Sequence, residues 1–595
     1  MAATRPRLHF GVLLGLAWAA TAALLFIDRW PEMGQRLFDA DDAMRLVQVR
    51  DFLAGHGWFD LHSARLDPPA GYDTHWSRLI DAGLAGLFLL FRPFADPGLA
   101  ERLMRAVWPL LWLLAAMGGA AALAWRIAGR NAGLIALAVC ACAFPAFQHF
   151  RPGRIDHHNV QIVLALGVVA AAAWSDRARH AAALAGALTG LAAAIGLESL
   201  PFLLLGGAAL TLRFVCNTMP DSGAPSQVLA RYGLAVAASV AAGFLVSVAP
   251  QHWGRPACDA IAINWMIAAM IAGVGLSVAG RALAQATAWS KIGAIACVGA
   301  AAVAAFLLVE PRCMHGPFAL TDPTVKGIWL DHVDEMEPLV AFVRGFPLVG
   351  AWMCSFPLVG LLALALLARD HAARRDSGFL LAAAALLIAV AATFEAEKVY
   401  SYAMWFGIPP VAALACRLIA SSGLRAAVAR LAVGLVLAPT TVTAAAFTVI
   451  QTTTNEVAPK PGTPERAACT RNEAYAVLAK LPAGLVATEI NYGPFVLALT
   501  PHAVVAAPYH RISVGMIAAH RILSAPPAES RQIVNSYGVA YVAVCGRRAS
   551  TGVDPSAGSL WGELNAGRVP PWLEPIPGAR EGDFTVYRVR QVVLV

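Results

Sequence analysis

Carboxylates, imidazoles and guanidinium groups gather in a few short stretches of an otherwise apolar sequence, in combinations that can hold a cation or an anion. The first stretch, "FDADDAMRLVQVRDFLAG", sets Asp39, Asp41 and Asp42 together. Neighbouring carboxylates repel one another unless a cation, an arginine or water relieves them. A solvated helix start, where Asp is favoured, is the plainer account. The second, "FQHFRPGRIDHHNVQ", holds Arg151, Arg154, Asp156, His157, His158 and Asn159 between two apolar runs. An Asp and a His two positions apart in a loop can both reach one cation, and Asp39 can complete the set from the other loop. Pairing of Asp156 with Arg151 or Arg154 is the structural alternative. The third, "GIWLDHVDEMEPL", adds Asp331, His332, Asp334, Glu335 and Glu337, which also suit an exposed amphipathic segment. Lys398, in "FEAEKVYSY", suits a phosphate contact or a pair with Glu395 or Glu397, and Glu198, in "GLESLPF", a substrate cavity or an ion pair. Neither a Walker loop nor a His-Glu-x-x-His helix occurs.

The elements that must position these groups are membrane helices. The 595 residues are 58% hydrophobic and 14% charged, with a mean hydropathy of +0.61, far from the composition of soluble domains. Apolar runs long enough to cross the hydrocarbon recur from Leu8 to Ile450 and then stop. They predict about thirteen spans, near 8–27, 105–125, 131–148, 159–174, 181–197, 200–215, 232–250, 260–279, 291–309, 347–368, 378–394, 399–420 and 431–450. Leu79 to Phe94, short and broken by Asp81, reads as a surface helix in a loop. With a cytoplasmic N-terminus, loops carrying Arg126, Arg130, Arg177, Arg179, Arg213, Arg231, Arg281, Lys291, Arg369, Arg374, Arg375, Arg425 and Arg430 fall inside, as the positive-inside rule requires. Counting 79–94 as a span would put these cations outside. The net charge of +8 is thus a topology signal, and nucleic acid is not an expected partner. Arg5 and Arg7 before an apolar run imitate a signal peptide, but more spans follow, so the segment is expected to anchor.

This topology leaves outer loops at 28–104, 149–158, 251–259 and 310–346 and an outer tail from 451, which is where the acids and histidines cluster. The expected domains are a transmembrane part, 1–450, and a soluble periplasmic α/β part, 451–595. The latter opens on the linker "QTTTNEVAPKPGTPE" and continues in β-rich runs such as "GLVATEI" and "VAYVAVCG". Most cysteines lie in spans, but Cys258 with Cys313, and Cys469 with Cys545, lie outside, where an oxidising compartment permits disulfides.

The sequence resembles the catalytic subunit of oligosaccharyltransferase, and more broadly the GT-C class of integral-membrane glycosyltransferases. "FDADDAMR" is similar to the family's "FDPWFNYR"-like string at Phe38, Asp39 and Arg45. Ile155-Asp156-His157-His158 stands at its "YDNE"-like acidic pair. His332 to Pro338 stands at its "SVSEHQP"-like motif, and Glu489-Ile490-Asn491-Tyr492-Gly493 at its "WWDYG"-like motif. The resemblance implies a GT-C fold in a bacterial inner membrane, a polyprenyl-linked sugar donor on one or two phosphates, and a periplasmic acceptor that is protein, glycan or lipid. It also implies a divalent metal, Mg or Mn, on Asp39, Asp156, His158 and Glu335. Arg151, Arg154 and Lys398 become candidates for the donor phosphate, and Asn491 and Tyr492 for the acceptor side. The acceptor motif lacks both indoles and the acid that read an asparagine sequon. Asp39 is the expected base, Glu335 the second catalytic acid, and the anomeric centre is expected to invert. A transporter of lipid-linked sugars is the competing class, but it would concentrate its polar groups near the midplane of broken spans.

Overall fold

The computed structural model describes residues 9–216, 225–345, 347–421, 427–454, 469–545, 558–578 and 584–590. Arg5, Arg7, Arg425 and most of the Thr/Pro linker lie outside these ranges, as do the side chains of Asp334 and Arg430. The chain runs from α1 (Phe10–Met33) through α2 (Ala40–Leu53), the hairpin β1 (His62–Ser63) and β2 (Tyr72–Asp73), and α3 (Arg78–Phe91), then into α4 (Pro97–Ala128) and α5 (Arg130–Ala141). Next come α6 (His158–Trp174), α7 (Ala181–Ile195), α8 (Leu200–Cys216), α9 (Pro225–Ser247), α10 (Ile263–Ala282) and α11 (Ala288–Val309). A loop with α12 (Pro323–Ile328) and α13 (Leu339–Gly345) leads to α14 (Pro347–Leu367), α15 (His371–Arg375), α16 (Ser377–Thr393), α17 (Tyr400–Ser421), α18 (Ala427–Val436) and α19 (Pro439–Thr454).

The protein is a multi-pass helical membrane protein. Among the described residues, α1, α4, α9, α10, α11, α14 and α17 are each long and apolar enough to cross a bilayer, while α6, α7, α8 and α16 are shorter apolar helices. Two expected spans are not continuous. The one at 131–148 breaks after α5, and the 3-10 turn Phe144–Phe150 leaves at 74°. The one at 431–450 divides into α18 and α19. Each continuation has a proline in its first two residues, Pro145 and Pro439, which has no N–H to give and crowds the preceding turn. The breaks satisfy each other. Thr440 N–H donates to the Cys142 carbonyl, and Phe144 N–H donates to Thr440 Oγ1, so polar groups freed by one break pair with the other.

Local signals set the remaining bounds. Asp39, Asp96 and Asp376 cap α2, α4 and α16 by accepting first-turn N–H groups. Arg126, at the other end of α4, donates to Asp176, Asp376 and the Ala173 carbonyl, so this topology cation also joins three elements. The stretch 79–94 forms the surface helix α3, too short to span. It buries Ile80, Asp81, Leu84 and Ala85 and leaves Leu89 and Leu90 exposed.

The C-terminal residues build a five-stranded sheet from β3 (Leu485–Ala487), β4 (Ala503–Val504), β5 (Val539–Cys545), β6 (Leu573–Pro575) and β7 (Phe584–Val589). Its order is β4-β3-β5-β7-β6, parallel from β4 to β5 and antiparallel beyond. The tail is an α/β unit fused to the first long loop: Met44, Trp108, Val504 and Trp561 share one apolar core, α2 packs on the helix Gly493–Leu499, and Leu66 bridges to Val504. Cys258–Cys313 and Cys469–Cys545 are disulfides, with Cα–Cα distances of 5.0 and 6.1 Å.

Candidate active site at the tail-side end of the bundle

A chain of charged groups runs across the end of the bundle that the tail covers. Asp156 closes the short loop between the 3-10 turn and α6. His157 Nδ1 lies 2.5 Å from its Oδ1, and His158 Nε2 lies 3.1 Å from its Oδ2. His158 Nδ1 reaches Glu198, at the start of α8, at 3.0 Å. Lys398, at the head of α17, donates to the other Glu198 oxygen at 2.8 Å. Burial opposes ionisation of Asp156, but His157 and His158 outweigh it and hold the carboxyl well below the usual carboxylate range. Lys398 and then His158 do the same at Glu198. Glu198 is thus an ion-pair centre, and Lys398 pairs with it across 200 residues instead of with Glu395 or Glu397.

The three aspartates of the first stretch divide. Arg154, from the same loop as Asp156, donates to Asp39 at 2.9 Å and lies 2.9 Å from Asp42. Asp39 also accepts the Asp41 N–H as the helix cap. Burial would raise its pKa, but Arg154 more than offsets this and keeps Asp39 ionised. Asp42 accepts the N–H groups of Ile155 and Asp156 and so ties α2 to the Asp156 loop. Its burial, against Arg154 and with the charges of Asp39 and Asp156 beside it, pushes its pKa up to about 7. Asp41 has the opposite surroundings from Asp39: burial, then the charges of Asp156, Asp39 and Glu335, push it well above the ordinary carboxylate range. The Glu335 charge also acts on His158 and Lys398, so one acid of the third stretch bears on the cluster, whereas His332 acts on His520 in the tail.

The groups present suit a divalent cation. Ligand atoms of Asp156, His157 and His158 lie within 4.8 Å of one another. Asp156 Oδ2 is buried with only the His158 imidazole beside it, and Asp41 faces carboxylates that a positive charge would relieve. Asp39 is the expected ligand most committed elsewhere, through its cap and Arg154.

The other expected residues lie apart. Arg151 stands over the Phe144 ring at 4.9 Å, its Nε buried without a partner, and feels first its burial and then Arg29. Asn491 lies in a 3-10 turn, and Tyr492 is buried in the tail core beside Phe495, because its ring completes that core. The tail residue that meets the cluster is Tyr509. It stacks on Tyr72 and meets Trp76 edge-on, and Asp41, Asp39 and Asp156 all bear on its phenol. In sequence its only signal is a polar aromatic run, Tyr509-His510-Arg511, directly after a buried apolar stretch. A cavity of about 660 Å³ adjoins the cluster, lined by Tyr72, Trp76, His157, Gln161, Glu198 and Arg255 among others.

No protein-family model matches the sequence, and no curated protein sequence is similar to it. Solved structures do match. The archaeal oligosaccharyltransferase AglB from Archaeoglobus fulgidus, in complex with an inhibitory peptide and a dolichol-phosphate, is 14% identical and superposes with a TM-score of 0.65 over 90% of this chain and 69% of that one. The Archaeoglobus fulgidus enzyme in complex with Zn and sulfate is 15% identical, with a TM-score of 0.58 over 89% and 67%. The same enzyme tethered to an acceptor peptide containing the NVT sequon is 16% identical, with a TM-score of 0.59 over 89% and 68%. Over 90% of its length this chain shares the GT-C fold seen in the archaeal AglB structure.

Proposed function

We propose that the chain is a membrane glycosyltransferase that moves a sugar or oligosaccharide from a polyprenyl-phosphate or polyprenyl-diphosphate donor to a periplasmic acceptor. In this reading, 1–450 is the transferase domain of a bacterial inner-membrane protein and 451–595 its periplasmic domain. One observation carries it: Asp156, His157, His158, Glu198 and Lys398 form one charged chain, with Asp41 and Glu335 facing it, beside a cavity at one end of an apolar bundle. A transporter would set such groups near the midplane. The neighbour of the same fold that holds dolichol-phosphate and a peptide supports the choice of donor.

Asp156, His158, Asp41 and Glu335 would hold a Mg or Mn ion, with His157 or Asp39 completing the set. Bound there, the ion supplies positive charge to a departing phosphate. Lys398 and Arg154 add fixed cations on the same side, and Arg151 offers an unpartnered Nε further along. Asp39, with 40% of its side chain exposed, is open to an acceptor proton. Arg154 keeps it ionised and weakens it as a base, so its first task is to orient the acceptor. A single displacement at the anomeric carbon would invert it. Tyr509, on whose phenol Asp41, Asp39 and Asp156 bear, joins Asn491 and Tyr492 as a tail candidate for the acceptor side.

The test uses membranes supplied with lipid-linked sugar and Mg or Mn. Asp156→Asn keeps the volume and removes the charge, and transfer should fall by about two to four orders of magnitude while abundance holds. Chelation should reproduce the loss. Asp60→Asn, beside the exposed His56, should be mild. Movement of lipid-linked sugar across the bilayer without transfer would sink the proposal in favour of the transporter.

A further inference from the structure

We propose a second metal site, for Zn²⁺, on the wall of the same cavity and formed by His75, Asp259 and His510. The three come from distant parts of the chain: the first long loop, the loop before α10, and the tail after β4. His510 Nε2 lies 2.7 Å from Asp259 Oδ2, and His75 Nδ1 lies 3.9 Å from the same oxygen. All three ligand atoms fall within 4.8 Å of one another, the spacing of groups that close on one ion with small side-chain movements. His75 Nδ1 is buried without a hydrogen-bond partner, an unmet polar atom 3.9 Å from the Asp259 carboxylate. The His510 ring is held by Phe318 edge-on at 5.1 Å, and Asp259 follows Cys258, which the disulfide to Cys313 fixes.

The donor set selects the metal. Two imidazole nitrogens and one carboxylate oxygen suit Zn²⁺, whereas Mg²⁺ and Ca²⁺ prefer oxygen throughout. Three protein ligands leave a fourth position, on the side where these residues line the cavity. The ion would fasten the tail and two loops around that cavity. Arg511 competes with it: its guanidinium donates to Asp259 Oδ2 at 3.0 Å and to Oδ1 at 2.7 Å. Metal binding requires that fork to release Oδ2, so removal of Arg511 should tighten the site. A triad held only by hydrogen bonds has no such response.

The experiment measures zinc per chain in full-length protein, stripped with chelator and re-equilibrated with zinc in detergent. Asp156→Asn protein is assayed in parallel, so loss of the other cluster is read separately. The unmodified and Asp156→Asn proteins should retain one equivalent that both His75→Ala and His510→Ala lose. Arg511→Gln should bind that equivalent about tenfold more tightly. If a histidine variant does not fold, Co²⁺ in place of zinc reads the intact protein, where a tetrahedral nitrogen–oxygen site gives visible absorption that Arg511→Gln should strengthen at limiting Co²⁺. Equal zinc in the unmodified, His75→Ala and His510→Ala proteins overturns the proposal, as does Co²⁺ without such absorption in the unmodified protein.

Discussion

Arg154 has one guanidinium for two aspartates, and that shortage differentiates the acids of the first stretch. Asp39 and Asp42 both lean on it, and Asp42, buried among further negative charge, is pushed up to about 7. The sign follows from linkage. The folded-state pKa lies above the unfolded one, so the folded protein binds a proton that the unfolded chain releases. The resulting stability is complete below about pH 4 and is lost as pH rises through about 7. Thermal melting between pH 5 and 8 should therefore show a falling Tm in the unmodified protein and a shallower fall in Asp42→Asn, whose amide oxygen can still accept the N–H groups of Ile155 and Asp156. An equal slope in both would remove Asp42 as the cause. The acids and histidines were legible as residue types in the loops between apolar runs, because ionisable groups beside such runs are conspicuous. Their partners were not. Nothing in "GLESLPF" says that Glu198 meets both His158 and Lys398, and nothing near Tyr509 announces that its ring meets Tyr72 and Trp76. All but the Glu198–His158 contact join positions hundreds of residues apart, and only helix packing brings them together.

Elements hold these side chains through two features that a sequence pattern shows poorly. Gly153 has a φ of +100°, and a Cβ there would clash with the Phe38 ring. Gly153→Ala should cost about 1–2 kcal/mol for the left-handed backbone alone. The clash would also shift the loop that carries Arg154 and Asp156, so transfer should fall more than stability, a comparison that melting and activity on one preparation would make. Arg45, matched to the family string, is instead a structural cation. It is fully buried, donates to Asp81 at 2.8 Å and lies 4.4 Å over Trp76, so it pins α2 to α3. Asp81→Leu strips both Arg45 and the buried Arg78, 3.1 Å from the other Asp81 oxygen, of their shared partner and should destabilise by about 3–5 kcal/mol, whereas the double variant Arg45→Met with Asp81→Leu should recover only the Arg45 part of the loss. Denaturation of the four proteins completes the cycle, and no recovery in the double variant would mean that packing matters more than charge. Span existence was readable from apolar length, yet the breaks at 142–144 and 437–439 were not. Pro145 and Pro439 each permit a break, but the exchange of hydrogen bonds at Thr440 that stabilises both is a tertiary fact.

At the scale of the whole molecule, the tail completes the site. It shares a core with the first long loop, its Tyr509 meets the acids, and its His510 and Arg511 hold Asp259 from the loop before α10. The strand-rich composition of the tail announced a sheet, but its mixed order and its fusion to α2 depend on contacts between Leu66 and Val504 and along the helix Gly493–Leu499, which no local pattern encodes. Cys469–Cys545 is the covalent tie within this unit: it joins the segment entering the tail, whose Arg471 bridges to Arg36, to the end of the central strand β5. The bond closes a loop with a sequence separation of 76 residues, so it restricts the unfolded tail substantially and should contribute about 2–4 kcal/mol. Cys469→Ser with Cys545→Ser should insert normally, since the spans govern insertion, but the tail should become sensitive to protease at a lower temperature. Transfer should fall in parallel with tail opening, because Tyr509 and the Asp259 contacts leave the site together. Cys258→Ser with Cys313→Ser acts on the other side of that contact and should loosen Asp259 while leaving the tail's own proteolysis temperature nearly unchanged. If the Cys469 and Cys545 double variant opened early yet transferred sugar at the original rate, the tail would have no part in forming the site.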